Sequence, residues 1–428
     1  MELVFSGSIF YNVVTLNILG VECMLILNKQ NMIPYLQEHY PKFCAAGPIT
    51  VSEIGDSEDD NPGLINHIFR VSNGSESMIV KQGQERIRID GEYQVPPLRN
   101  RQEYLSLKLR GEIIGKFVPK VYGIDFENNV FTMEDVSYLG NARVELTKNK
   151  MYPNLGRQMA EYSATANFYT SEFYLDTPTF RNLCNAFTNS EMRNIMEQWV
   201  FLREAPFPVN PETEWLRKAL AEDKEFIAEN YLLRHKFMSC PETMVHADTH
   251  TSNIFLNEEV IKVIDMEYTF GGPFSYDLGY FTNSLITQFC AAYFRPFPSQ
   301  EDRLAYQAYI LTMIAEAYEH FVCYFKDFWD KDAKACYRSC PAWRDKFIEG
   351  FLPDILGFAC IPTFAVILSD GDGWMDIAVI PDAKDRLNAK YMLVVLCRHL
   401  LVNRTKYRTI HEAVEDMVRV CEDFLRKL

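Results

Sequence analysis

The chain has 428 residues, 48% of them hydrophobic, and its formal net charge is −15. This length allows two domains with their own cores, and the apolar content excludes a disordered or fibrous protein. The negative charge excludes a general electrostatic attraction to nucleic acid or to anionic membranes, so a polyanionic ligand would need local cations to hold it.

The N-terminal segment, residues 1–28, is interpreted as an apolar extension. From Leu3 to Leu27 it contains Glu22 as its only charged residue. It lacks the basic region that opens a signal peptide, and interspersed Ser and Asn residues dilute it as a membrane span. Met24 is therefore a candidate start of the protein, and a membrane anchor is the alternative.

The following part of the chain predicts a small antiparallel sheet with helices. A short helix is predicted from Leu27 to Lys42, where apolar residues recur at helical spacing. Short β-rich runs separated by turn residues follow, and a second helix is predicted from Leu98 to Arg110. The predicted strands are 49–51, 67–71, 77–81, 120–124 and 129–133.

The character of the sequence changes after Asp135. From Asn154 onward the pattern is mostly that of long helices, interrupted by one β-rich patch between Val245 and Ile264. A sheet-rich first part and a helical remainder predict an α+β protein with two lobes. We assign residues 29–136 to an N-lobe made of a sheet and a helix, and residues 137–428 to a helical C-lobe.

The strongest chemical signal lies inside the β-rich patch. His246, Asp248 and Asn253 have the spacing His-x-Asp-x-x-x-x-Asn, and Asp265 ends an apolar strand further along. Phosphoryl transfer needs one carboxylate that accepts the hydroxyl proton, and oxygen donors that hold Mg²⁺ at the phosphates. The pattern predicts ATP and Mg²⁺ as cofactors, Asp248 as catalytic base, Asn253 and Asp265 as metal ligands, and His246 as a structural support of the loop.

Two other interpretations of this motif are open. His246 and His250 are four residues apart, as in some zinc sites, but no third ligand stands at a usual spacing. The motif could also be an ordinary polar loop between strands. The complete spacing favours the kinase interpretation over both.

Residues upstream agree with a nucleotide site. Lys81 is predicted inside an apolar strand, where a lysine is costly unless it meets negative charge. ATP phosphates and a helical glutamate, Glu103, would supply that charge. The strand end at Met133 and Glu134, together with Val136, is predicted to present backbone groups to the adenine edge.

The loop from Gly55 to Gly63 lies where a phosphate-covering turn is expected, so Gly55 is assigned to the cofactor site. The loop carries carboxylates within residues 56–60, which would repel a triphosphate if they faced it. We interpret most of them as a solvated surface.

The eleven cysteines form no CxxC pair. An odd number without a spacing framework indicates reduced thiols in a cytoplasmic protein, not a disulfide scaffold or a zinc site.

Several segments resemble S-methyl-5-thioribose kinase, a family of the aminoglycoside-phosphotransferase and protein-kinase-like superfamily. The resemblance runs from Lys29 to the C-terminus and is most specific at Asp265 and Glu267, because wider relatives usually lack the glutamate. The matching segments are Glu53–Asp56, Ile68–Val71, Ile79–Gln82, Met133–Ser137, His246–Asn253, Val263–Tyr268 and Gly272–Gly279.

The resemblance implies the two-lobed protein-kinase-like fold, and transfer of the ATP γ-phosphate to the anomeric hydroxyl of methylthioribose, in methionine salvage, by a homodimer. It implies Asp248 as the base, Asp265 and Glu267 as the metal-binding pair, and Lys81 as a phosphate contact. Asp277 would brace the catalytic loop. The partner would be a small sugar or thiosugar, with no nucleic acid and no membrane.

The chain departs from the family pattern at several positions. Ala247 and Thr249 stand where the family usually has Gly and Leu, and the phosphate-covering loop carries the acidic insertion. The family also has a tandem arginine pair that contacts the substrate sugar, and the corresponding positions here are Ala365 and Val366.

Alkyl side chains cannot donate the charge-assisted hydrogen bonds of arginine, so the identity of the acceptor is open. Arg386 and Arg398 are candidate replacements. Two further hypotheses follow: a phosphotransferase of the same fold acting on an aminoglycoside, a choline-like amine or homoserine, and a non-catalytic nucleotide-binding pseudokinase.

Overall fold

The computed structural model describes residues 24–54, 66–85, 94–204, 211–367 and 375–428. The predicted cofactor residue Gly55, the acidic residues 56–60 and residues 1–23 of the extension lie outside this part of the chain. The described residues separate into two compact units. The first comprises those up to Tyr138 with Asn189–Met192 and Ile264–Thr269, and the second comprises Leu139–Thr188, Arg193–Val263 and Phe270–Leu428.

The first unit is built on a five-stranded antiparallel sheet with the order β1-β2-β3-β5-β4. Each predicted β-rich run of this region forms one strand. The strands are β1 (Thr50–Glu53), β2 (His67–Ser72), β3 (Ser77–Gln82), β4 (Val121–Asp125) and β5 (Val130–Glu134), and the helices are α1 (Met32–His39), α2 (Pro41–Ala45) and α3 (Arg99–Ile114).

The helix predicted from Leu27 to Lys42 is two helices. Pro41 occupies the first turn of α2, where its fixed φ suits the start of a helix and its missing N–H breaks no bond. The predicted helix at 98–110 agrees with α3, which continues to Ile114.

Alternation along β3 separates the two faces of this sheet. Met78 and Val80 belong to a buried apolar cluster with Leu36 of α1 and Phe69 of β2. Because successive side chains of a strand point to opposite faces, Lys81 faces the other side. There it meets α3, which carries Glu103.

The second unit is mainly helical. Its helices, with α7 spanning the boundary, are α4 (Ala142–Thr147), α5 (Leu155–Tyr169), α6 (Thr177–Ala186), α7 (Ser190–Met196), α8 (Glu214–Glu222), α9 (Lys224–Ser239), α10 (Tyr276–Ala291), α11 (Gln300–Asp332), α12 (Ala335–Arg338), α13 (Pro341–Ile348), α14 (Phe351–Val366), α15 (Met375–Ala378), α16 (Ala383–Asn403) and α17 (Ile410–Leu425).

Short strands in this unit form two small antiparallel sheets, β10-β7 and β6-β8-β9. They are β6 (Gly140–Asn141), β7 (Thr243–Val245), β8 (Ile254–Leu256), β9 (Ile261–Val263) and β10 (Phe270–Gly272). The predicted β-rich patch accounts for β7 to β9. The sequence did not predict β10, because two glycines, Gly271 and Gly272, carry no side-chain pattern.

The core of the second unit surrounds α10, all of whose residues are buried. Gly279 allows α10 to approach α14 closely: a Cβ there would lie 2.7 Å from Phe358 Cβ and 3.0 Å from the Ile355 carbonyl oxygen. The stretch Pro341–Val366 is long and apolar enough to cross a membrane, but 78% of its most apolar window is buried, as in the core helix of a soluble protein.

Candidate active site

A buried lysine surrounded by carboxylates lies in the first unit. Lys81 Nζ is 2.6 Å from Glu103 Oε2, and Lys81 also donates a hydrogen bond to Asp265. The side chains of Lys81 and Glu103 are 3% and 0% exposed. A lysine is tolerated at such a position only when it is paired, and β3 and α3 supply that pairing.

The charges of this cluster do not balance. Burial lowers the pKa of Lys81, but Asp265, Glu103 and Glu267 together hold it above its usual value, so the lysine stays protonated. Burial raises the pKa of Glu103 to about 8, against the opposing effect of Lys81. Burial and the charge of Asp265 also raise the pKa of Glu267. The three carboxylates therefore face two positive charges, the ammonium group of Lys81 and the guanidinium of Arg99.

Glu267 is held by two residues that the sequence did not predict. Asn66 Nδ2 donates to Glu267 Oε2 at 2.8 Å, and Arg99 Nε lies 3.3 Å from the same oxygen. Arg99 is buried and also donates to the carbonyls of Gln84 and Pro96. Its position four residues before Glu103, on the same face of α3, was a usable signal in the sequence.

The donor set of this cluster fits a hard cation. Oxygen atoms of Glu103, Asp265 and Glu267 lie within 4.8 Å of one another. Carboxylate oxygens are the ligands that Mg²⁺ and Ca²⁺ prefer, and a divalent ion would offset the excess negative charge. Among the described residues, this is the one cluster of three or more acidic, His or Cys side chains with such spacing.

The His-x-Asp motif lies in the second unit, in the loop between β7 and β8. Asp248 Oδ2 accepts a hydrogen bond from Asn253 Nδ2 at 3.1 Å and lies 3.4 Å from His250 Nε2. Burial raises the pKa of Asp248, but the charge and hydrogen bond of His250, helped by His246 and Asn253, hold it below its usual value. The carboxylate is therefore ionised at neutral pH.

Asp277, at the start of α10, holds the backbone of this loop. It accepts hydrogen bonds from the backbone N–H of His246 at 2.8 Å and of Ala247 at 2.9 Å. Thr249 Oγ1 donates to the Asp277 carbonyl at 2.6 Å. Ala247 has φ 70°, a left-handed conformation that costs free energy for any residue with a Cβ. His246 Nδ1 accepts from the backbone N–H of Asp248 at 3.2 Å, which fixes the base from the other side.

Tyr280 of α10 is a further neighbour of Asp248 that the sequence did not predict. Its ring meets edge-on, at 5.9 Å, the ring of His250, which lies 3.4 Å from the Asp248 carboxylate. Burial and the negative charge of Asp248 raise the pKa of Tyr280 well above its usual value, so the phenol stays protonated. No motif spacing marks this position, because it depends on how α10 packs against the loop.

The residues predicted for adenine lie at the end of β5. Met133 pairs with Ile79 in the sheet, and the Glu134 N–H donates to the Lys120 carbonyl at 2.8 Å. The Glu134 carboxylate accepts from Tyr138. Val136 follows the strand and is buried. Their role in nucleotide binding stays a prediction.

The zinc interpretation gains no support from the geometry. His250 Nε2 is directed to Asp248, and His246 Nδ1 accepts a backbone hydrogen bond. Within the described ranges, neither histidine belongs to a cluster with metal-ligand spacing.

Both candidate replacements for the arginine pair have protein partners in the structure, and their role at the acceptor stays a prediction. Arg398 is engaged by Asp223 at 2.8 Å and by Glu225 at 3.0 Å. Arg386 donates to the carbonyls of Ile380 and Pro381. Ala365 and Val366 form the last turn of α14.

Comparison with known proteins identifies relatives over most of the chain. Residues 117–309 match the model of the phosphotransferase enzyme family APH. The chain is 31% identical over 372 residues to a methylthioribose kinase from a Geobacillus species, covering 83% of this chain and 87% of that one. It is 27% identical over 387 residues to a methylthioribose kinase from Bacillus cereus, covering 89% and 93%.

Solved structures with similar chains include small-molecule kinases. A Plasmodium vivax ethanolamine kinase has a TM-score of 0.45 at 15% identity, covering 89% of both chains. A choline/ethanolamine kinase family protein from Mesorhizobium loti has a TM-score of 0.46 at 12% identity, covering 91% of this chain and all of the other.

Proposed function

Because this chain belongs to the methylthioribose kinase family, we propose that it transfers the γ-phosphate of ATP to the anomeric hydroxyl of S-methyl-5-thioribose. The observation that carries the proposal is the ionised carboxylate of Asp248, which lies in the His-x-Asp motif and is held by Asn253 and His250. The chain that contains this motif is 31% identical to a methylthioribose kinase.

Asp248 acts as the general base in this proposal. The anomeric hydroxyl oxygen attacks the γ-phosphorus, its proton passes to a carboxylate oxygen of Asp248, and ADP leaves with the electrons of the broken P–O bond. A base must be unprotonated before it can act. The lowered pKa of Asp248 meets that condition at neutral pH.

Lys81 is proposed to contact the phosphates, with Glu103 setting the position of its ammonium group. Asp265 and Glu267 would hold Mg²⁺, which neutralises phosphate charge when it is bound. Asn66 and Arg99 would keep the Glu267 carboxylate oriented. Asn253, proposed as a further ligand, is hydrogen-bonded to Asp248 here.

We also propose a cytoplasmic homodimer that serves methionine salvage, as the family resemblance implies. The net charge of −15 supports the expectation of no nucleic-acid or membrane partner. The acceptor is a small sugar or thiosugar.

The test is an acceptor panel with the purified full-length chain, ATP and Mg²⁺. Methylthioribose, choline and an aminoglycoside are compared by ADP release, and ³¹P NMR identifies the product. We expect a sugar 1-phosphate from methylthioribose. Asp248→Asn should lower kcat by at least about 10³-fold while the Kd for ATP changes little, because general-base catalysis is lost and nucleotide contacts remain.

Other outcomes would identify the alternatives. Turnover of choline or the aminoglycoside without methylthioribose would reassign the acceptor class. ATP binding without ADP release from any acceptor would make the protein a nucleotide-binding pseudokinase.

A further inference from the structure

The side chain of Asn189, directly before α7, donates hydrogen bonds to the backbone of the segment that carries Asp265 and Glu267. We infer that Asn189 is a positioning residue for the Mg²⁺ site, because its amide holds the turn that places these two carboxylates. The inference rests on the proposed function, in which Asp265 and Glu267 bind the metal ion.

Asn189 Nδ2 bridges two carbonyl groups that are two residues apart. It donates to the Glu267 carbonyl at 2.8 Å and to the Thr269 carbonyl at 3.1 Å. The side-chain amide nitrogen carries two N–H donors, so each carbonyl can receive its own hydrogen. The backbone turns at this point, and the Thr269 N–H donates to the Met266 carbonyl at 3.2 Å. The amide therefore fixes the relative orientation of two peptide groups in this turn.

The backbone of Asp265 needs such support. Its φ is 65°, in the left-handed region that residues with a Cβ rarely adopt. A conformation of this kind persists only where the surrounding structure fixes it. The turn that Asn189 holds begins at Met266, the next residue. Loss of the amide would therefore let Asp265 relax and move its carboxylate relative to that of Glu267.

Contacts with α3 fix side chains of the same segment. Ser106 Oγ lies 2.8 Å from Thr269 Oγ1, and both side chains are buried. Arg99 lies 3.3 Å from the Glu267 carboxylate. Asn189 adds a hold on the backbone between these side chains. Oxygen atoms that surround an ion must be placed to within about 0.5 Å, and partners behind the metal ligands supply that precision.

The conformation of Asn189 allows its amide to be removed without new backbone strain. Asn189 has φ 44°, also in the left-handed region. Asparagine tolerates this region better than most residues, and glycine tolerates it best. Asn189→Gly therefore deletes the two hydrogen bonds and leaves the local backbone conformation accessible.

Nucleotide binding at controlled Mn²⁺ concentrations tests the inference, because Mn²⁺ takes the same oxygen ligands as Mg²⁺. The Kd of a non-hydrolysable ATP analogue is measured calorimetrically with the purified full-length chain, first in EDTA and then at rising free Mn²⁺. In Asn189→Gly, the Mn²⁺ concentration that gives half of the metal-dependent gain in affinity should rise at least about ten-fold, as expected when a partner behind a metal ligand is lost. The Kd in EDTA should be unchanged, whereas a general loss of structure would raise it as well.

Asn149→Gly is the matched control. Asn149 has φ 61° and its Nδ2 donates to the Pro296 carbonyl at 3.4 Å, so this change also removes the amide of a left-handed asparagine. Its Mn²⁺ dependence should equal that of the wild type. Asp265→Asn, which alters a proposed ligand, should lose the metal-dependent gain and shows that the assay reports on this site.

Asn189→Asp carries the test if circular dichroism shows that Asn189→Gly does not fold. An ionised aspartate has nearly the shape of asparagine but no hydrogen to donate to the two carbonyls. Its negative charge alone would favour a cation. A higher Mn²⁺ requirement in this variant would therefore come from the lost donor.

The inference is overturned if folded Asn189→Gly or Asn189→Asp shows the Mn²⁺ dependence of the wild type. Equal affinity of the wild type in EDTA and in Mn²⁺ would overturn both the inference and the assignment of Asp265 and Glu267 as metal ligands. A wild type that gains affinity from Mn²⁺ but phosphorylates no methylthioribose would contradict the proposed acceptor alone, because the variants are compared without any acceptor.

Discussion

Lys81 and Arg99 supply two positive charges to a cluster of three carboxylates, which leaves one negative charge in excess. An apolar strand buries the lysine, and α3 and the segment after β9 bring Glu103, Asp265 and Glu267 to it. The surplus of negative charge would destabilise the fold if every carboxylate were ionised without a cation. A divalent ion and a bound nucleotide are therefore expected to change the stability of this cluster.

Replacing the lysine should affect nucleotide use more than folding. Lys81→Met removes the positive charge expected to contact the phosphates, and we predict a kcat/KM for ATP about 10²-fold lower in steady-state assays. A carboxylate of the cluster can take up a proton to compensate in the folded protein. Lys346→Met, at a side chain 75% exposed, is the control and should behave as wild type. An unchanged kcat/KM in Lys81→Met would contradict the proposed role.

A second prediction at this scale concerns Glu145 of α4. Burial raises the pKa of Glu145, but hydrogen bonds from Lys150, Tyr152 and Lys148 lower it from 4.5 to about 2. A carboxylate with a depressed pKa in the folded state stabilises the fold above its unfolded pKa, and this contribution is lost as pH falls from about 4.5 to about 2.

Glu145→Gln should therefore unfold at a lower denaturant concentration than the wild type at pH 7. The loss in the free energy of unfolding should be no more than about 1 kcal/mol, because solvent screens the exposed lysines. The difference should shrink progressively below pH 4.5. A difference that is constant from pH 7 to pH 3 would show that the ion pairs are not its cause.

Motif spacing could identify single residues but not their long-range partners. Asp248, Asn253 and Asp265 were predicted from spacing, and the polarity of one strand position marked Lys81. Asn66 could not be assigned, because its partner Glu267 is 201 residues away. The same holds for Tyr280, whose place depends on the packing of α10.

At the scale of elements, the contact between α10 and α14 positions Asp277 under the catalytic loop. The two helices approach closely at Gly279, three residues from Tyr276 at the start of α10. Asp277 must stay in register to accept the N–H groups of His246 and Ala247. A change in the spacing of α10 and α14 would therefore displace the loop that carries Asp248, although that change does not touch Asp248 directly.

Gly279→Ala tests this coupling. The added Cβ would lie 3.0 Å from a backbone oxygen, so we predict a loss of about 1–3 kcal/mol in the free energy of unfolding, together with lower kcat. Gly111→Ala is the matched control in α3: its Cβ would meet nothing within 4 Å, and it should stabilise by about 0.5–1 kcal/mol. Equal effects of the two changes would refute the close-approach argument.

Helices and strands could be predicted from the sequence where the pattern of apolar residues was long or alternated strongly. All five strands of the first unit and α3 agree with the sequence. The division at Pro41 was missed because apolar spacing continues through it, and β10 was missed because its glycines carry no pattern. Boundaries depend on caps and packing, which periodicity does not encode.

At the scale of the whole molecule, the α+β class followed from the order of a sheet-rich part and a helical part. The sequence did not indicate that the first compact unit takes in Asn189–Met192 and Ile264–Thr269. The second of these segments brings Asp265 and Glu267 to Lys81 and Arg99, so the cluster is assembled from distant parts of the chain.

Ligand binding should therefore stabilise the folded chain through these carboxylates. With Mg²⁺ and an ATP analogue at 100 times the Kd, we predict about 2.7 kcal/mol of added stability in denaturant titrations. Asp265→Asn should lose most of this gain at the same ligand concentration, and addition of EDTA should remove it from the wild type. Asp345→Asn, at a side chain 57% exposed, is the control. A full gain in Asp265→Asn would exclude that carboxylate as a metal ligand.

The left-handed backbone conformation at Ala247 restricts which residue types can occupy this position. Alanine carries the smallest side chain with a Cβ, and even that atom is crowded at φ 70°. Branched residues at this site would add a second clash next to Asp248, whereas glycine would relieve the first. Random mutagenesis followed by selection for growth should therefore recover very few residue types at position 247, although the side chain there takes no part in the reaction.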